Sequence, residues 1–99
     1  MSNIDDIFKK KPEERIREIL NVYTPLRDDL LEIVKIQKRN KDPVSLQLAD
    51  QKSTEILSLL MRIYNIAEKN NDQSSMNSVL GMMNNIKEIR ESIGLKMKK

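Results

Sequence analysis

Between Ile56 and Ala67 nine of twelve residues are apolar: Ile56, Leu57, Leu59, Leu60, Met61, Ile63, Tyr64, Ile66 and Ala67. On a helix these side chains occupy more than one face, so neighbours must cover it from several sides. The rest of the chain must supply those neighbours, or a second chain must.

The chain supplies helices. Asp42-Pro43 pairs a capping side chain with a proline at the first helical position, where a missing N–H costs nothing. The apolar run therefore belongs to a helix from Pro43 to about Lys69. Asn70, Asn71 and Asp72 end it, and Asp72 caps a last helix over 73–93. That helix carries a stripe through Met76, Val79, Leu80, Met83, Ile86, Ile89 or Arg90, and Ile93. Gly94 stands where a left-handed residue stops a helix. The short connection predicts an antiparallel hairpin over 43–93. Within it, the polar run Asp50 to Glu55 either protrudes or brings small side chains to a close contact.

Ahead of the hairpin, residues 1–11 form a polar N-terminal segment, with a short helix over 3–10. Lys11-Pro12 and Thr24-Pro25 predict two short helices, 12–23 and 25–39. Ile16, Ile19, Leu20 and Tyr23 share a face of the first; Leu26, Leu30, Ile33 and Val34, widened by Leu31 and Ile36, share a face of the second. Residues 94–99 form a basic tail. No alternating pattern or hairpin dipeptide predicts a strand. The expected fold is a single all-α domain: an antiparallel helical hairpin with additional short N-terminal helices, assembled as an oligomeric helical bundle.

The chemistry is mostly one of absences. The 99 residues contain no His and no Cys, which removes the commonest general base, the thiol nucleophile and the usual zinc ligands. Two glycines do not make a phosphate-cradling loop. Asp28, Asp29 and Glu32 lie within little more than one turn, near the start of the second short helix. They are read as partners of its dipole rather than as a Mg²⁺ site. No enzymatic activity, cofactor or metal is expected. Without a membrane-length apolar run or a signal-peptide pattern, the expected setting is the cytoplasm.

Two binding readings remain. A chain this short buries a thin core, and association with a second copy or another helical protein would bury more. The expected interface is Ile56, Leu59, Leu60, Ile63 and Ile66, with Met82 and Met83 from the last helix. A small monomeric adaptor or inhibitor is the alternative within this class. The second reading is nucleic-acid binding. Net charge is +3 and pI about 9.2, but residues 43–92 hold five basic against six acidic side chains. The contacts would then fall to the ends, at Lys9, Lys10, Lys11, Lys96, Lys98 and Lys99.

The stretch from Tyr64 to Met83, YNIAEKNNDQSSMNSVLGMM, continues through Asn84, Asn85, Ile86, Lys87, Glu88 and Ile89. It resembles the central helical hairpin of small terminase subunits of tailed phages, over residues 43–93 at most. The resemblance implies a ring-forming oligomer that recognises viral DNA and regulates a packaging motor in the host cytoplasm. It also implies a helix-turn-helix, whose place residues 12–39 would take.

Overall fold

The computed structural model describes residues 4–95. They form four helices: α1 (Ile4–Ile7), α2 (Pro12–Asn40), α3 (Pro43–Lys69) and α4 (Gln73–Ser92), and no strand is found among the described residues. Helices α2, α3 and α4 run up, down and up, with α3 packed against both of the others.

The limits of α3 and α4 follow the sequence signals. Asp42 accepts a hydrogen bond from the Ser45 N–H at 2.7 Å, and Asp72 accepts one from the Ser75 N–H at 3.1 Å. Each satisfies an amide that a helix start leaves open. Asn71 and Gly94 adopt left-handed backbone, with φ of 53° and 83°. Beyond each, an amide returns to the last turn: Asp72 N–H to Ala67 O and Leu95 N–H to Arg90 O, both at 2.9 Å. These are Schellman closures, and they leave only Asn70 to Asp72 between the two helices.

The N-terminal half departs from expectation. Residues 12–23 and 25–39 are not two helices but one, running through Pro25. A buried stripe crosses the proline at unbroken helical spacing through Ile19, Tyr23, Leu30 and Val34, with Leu26 half-buried between them. Pro25 and Asn21 are both exposed, so the Asn21 carbonyl that loses its intrahelical partner lies on the solvent side of the helix. Packing of the stripe outweighs the local cost. The turn that a helix-turn-helix needs at Tyr23-Thr24-Pro25 is therefore missing. Asp28, Asp29 and Glu32 accordingly lie in mid-helix, not near a helix start. The expected helix over 3–10 is a single turn, with Ile7 and Phe8 buried against the bundle.

Two arginines, Arg15 half-buried and Arg90 buried, fasten the bundle. Near the α3–α4 turn, Arg15 donates to Asp72 Oδ2 at 3.1 Å, to Phe8 O at 3.1 Å and to Lys10 O at 3.0 Å. Its guanidinium also lies over the Phe8 ring, 5.7 Å from the centroid. One side chain thus ties α1, α2 and the cap of α4 together. Toward the other end, Arg90 donates to Ser53 Oγ at 2.6 Å and to Asp50 Oδ1 at 2.8 Å. Ser53 is fully buried and donates to Ala49 O at 2.6 Å. The polar run 50–55 therefore does not protrude. Its small residue is where α4 approaches α3, and Arg90, not Ile89, takes the buried position of the stripe.

Replacing Pro25 by Ala restores the hydrogen bond to Asn21. Chemical denaturation should show a gain of about 2 kcal/mol, the helix-interior penalty of proline less its restriction of the unfolded chain; a loss would mean that Pro25 sets a bend the packing needs.

Both capping carboxyls titrate below their usual 3.8. For Asp42 the Ser45 amide and hydroxyl are the cause. For Asp72 burial opposes ionisation, but Ser75 and Arg15 together outweigh it. The unfolded chain therefore binds more protons in acid. The stability these groups contribute is present above about pH 4 and is lost as pH falls through their native values. Asp72→Asn keeps a capping oxygen but removes the charge; it should cost about 1 kcal/mol at neutral pH and flatten the acid limb of the denaturation midpoint. An acid limb as steep as that of the natural sequence would contradict the assignment.

Candidate interaction surface

The residues expected at an interface are mostly spent inside the chain. Ile56, Leu60, Ile63, Met82 and Met83 are buried in its own core, and Leu59 and Ile66 are half-buried against it. The correction has a simple physical cause. Helix α2 covers one side of α3 while burying its own stripe on it, and α4 covers another. The same contact satisfies both helices, so most of the over-apolar run of α3 is covered within the chain, although Met61 stays 49% exposed.

Of the expected basic contact residues, only three lie among the described residues. Lys9, Lys10 and Lys11 are exposed at the α1–α2 junction. Lys9 pairs with Asp6 at 3.2 Å, and Lys10 with Glu18 at 3.5 Å. Lys96, Lys98 and Lys99 lie outside the described residues. The chain reaches Leu95 at the other end of the bundle, where Lys38 and Lys41 border a depression of about 270 Å³ beside Ser92 and Ile93.

The acidic cluster is divided among bases. Asp28 pairs with Arg27 at 3.3 Å, Asp29 with Lys52 at 3.8 Å and Glu32 with Lys35 at 3.6 Å. Among the described residues no three potential metal-ligating side chains gather.

The most exposed apolar surface lies on the α2–α3 flank. Val44 is 66% exposed, Leu48 49% and Ile36 47%. The register of the two helices is set by Ser45 Oγ donating to Gln37 Oε1 at 3.0 Å and by the Lys52–Asp29 pair. It places Ile36 level with the first turn of α3 and Ile33 level with Leu48. Ile33 and Leu48 share a depression of about 190 Å³ with Gln51, Lys52 and Glu55. On α3 the stripe reads Val44, Leu48, Gln51, Glu55; on α2 it reads Glu32, Ile36, Arg39. Both have the spacing of one helix face. From the α2–α3 connection inward, the flank therefore passes from basic to apolar to acidic.

Sequence reasoning placed Ile36 on the edge of a buried face and passed over Val44 and Leu48. The available signal was the i, i+4 spacing of Val44 and Leu48, off the register of the buried Ser45, Ala49 and Ser53.

Among the described residues no helix is long and apolar enough to cross a membrane. The chain matches no protein-family model, and neither the curated proteins nor the solved structures contain a match to it.

Proposed function

We propose that this chain is a non-enzymatic interaction protein that works as a homo-oligomer, its copies meeting through the α2–α3 flank. The observation that carries the reading is the group of Ile36, Val44 and Leu48, which the chain's own helices leave 47%, 66% and 49% exposed, with the half-buried Ile33 beside them. Apolar side chains gathered in one place on a small domain point to a partner surface more than scattered ones do.

The flank also suits a second copy of itself. A two-fold axis near Ile36 and Leu48 lays apolar on apolar. It brings Arg39 of one copy toward Glu32 of the other, and the reverse, as an isologous contact requires. The charges thereby favour one orientation. A phage-packaging role of the small-terminase kind would build on such self-association, with the α3–α4 hairpin as its second support. A cytoplasmic setting, reducing and free of disulfides, fits the absence of cysteine.

Nucleic-acid regulation is the second reading. What favours it is the basic end formed by Lys38, Arg39 and Lys41.

Light scattering behind size exclusion tests the first reading. The natural sequence should be dimeric or larger at tens of micromolar. Ile36→Glu and Leu48→Glu should each weaken association by at least about 100-fold, near 3 kcal/mol, while helical circular dichroism is retained. Ile56→Glu should instead unfold the chain. A folded natural sequence that stays monomeric at high micromolar concentration would overturn self-association.

A further inference from the structure

Along α2 the acidic side chains near the flank are held by bases of the same chain, but the arginine of the flank is not held at all. Asp29 pairs with Lys52 at 3.8 Å and Glu32 with Lys35 at 3.6 Å. Arg39 is exposed and makes no ion pair or side-chain hydrogen bond among the described residues. Lys35 precedes it by four residues, a spacing at which like charges on one helix repel. Glu32 is thus bound to the lysine that Arg39 is repelled by.

The Lys35–Glu32 pair is loosely held. Its side chains stay 65% and 70% exposed, and an ion pair so open to water contributes little. A guanidinium would serve Glu32 better, because its fork of donors matches both carboxylate oxygens, whereas an ammonium is a single point of charge.

A two-fold axis near Ile36 and Leu48 supplies that guanidinium. Measured along α2, it leaves Glu32 about 5 Å to one side and Arg39 about 5 Å to the other. Rotation therefore brings Glu32 of each copy level with Arg39 of the other. Lys35 lies close to the axis, so the two copies of it arrive level with each other. It opposes the contact twice, by occupying the carboxylate that Arg39 needs and by setting like charges side by side. Resting on assembly through the α2–α3 flank, we propose that Lys35 restrains self-association, competing within the chain for Glu32 against Arg39 of the second copy. The aliphatic side chains supply the attraction, and this contest sets its strength. Removing a charge at the edge of an interface most often weakens it or does nothing; here it tightens it.

Light scattering over a dilution series gives the dissociation constant of each variant, with circular dichroism to show equal folding. Lys35→Gln should associate at least about threefold more tightly than the natural sequence, and Lys35→Arg should match the natural sequence. The gain should disappear when Lys35→Gln is combined with Arg39→Gln or with Glu32→Gln, each compared with its own single variant. Lys87→Gln removes the same charge from an exposed position on α4 and should change nothing, which separates the local contest from net charge. An unchanged or weaker association in Lys35→Gln, an equal gain in Lys87→Gln, or a gain that survives Arg39→Gln would overturn the restraint. If Leu48→Glu dissociates the natural assembly while Lys35→Gln leaves it as it was, the flank stands and only the restraint falls. If the natural sequence and Lys35→Gln are both monomeric, the flank reading falls and the restraint with it.

Discussion

Helix α3 has more apolar surface than one neighbour covers, and the positions of all other elements follow from that. With α2 on one side and α4 on another, Ile56, Leu60, Ile63 and Ala67 are almost fully removed from water. Both neighbours connect to α3 through a few residues, so each must run antiparallel to it and therefore parallel to the other. The arginines act at the ends of this arrangement. Arg15 holds the start of α2 to the cap of α4, and Arg90 fixes how far α4 has slid along α3. Hydrophobic burial supplies the drive, and these directional contacts select one register.

Once α3 is covered, what remains for function lies at the seams. The α3–α4 seam is closely packed and carries the Arg90 contact. The α2–α3 flank ends in aliphatic side chains that the chain covers only in part, graded from basic to acidic along its length. The α2–α4 seam is bridged by Tyr23 and Asn85, with Arg15 and Asp72 at its end, and leaves a shallow groove beside them. The two open seams differ in chemistry. We propose a copy of the same chain for the flank.

The sequence carried much of this. Pro43, the Asn70-Asn71-Asp72 break and Gly94 set helix limits because capping and left-handed closure are local, and local chemistry is readable in one chain. Pro25 misled for the converse reason. Its penalty is local, but the stripe from Ile19 to Val34 is secured by contacts with α3 that no window of sequence contains. The candidate surface was hidden in the same way. Hydropathy identifies Ile56 and Leu60 as residues that must be covered, but not which chain covers them. Val44 and Leu48 look unremarkable in a mostly polar segment and matter only because Ile33 and Ile36 arrive beside them.

Disulfide trapping reads the central claim most directly, since the natural chain has no cysteine to interfere. Leu48→Cys places a thiol near the proposed two-fold axis, whereas Met61→Cys places one at a position equally exposed but off that flank. Under mild oxidation Leu48→Cys should form a covalent dimer rapidly and at low protein concentration, and Met61→Cys should not. Equal rates for the two variants, or faster trapping of Met61→Cys, would contradict assembly through the α2–α3 flank.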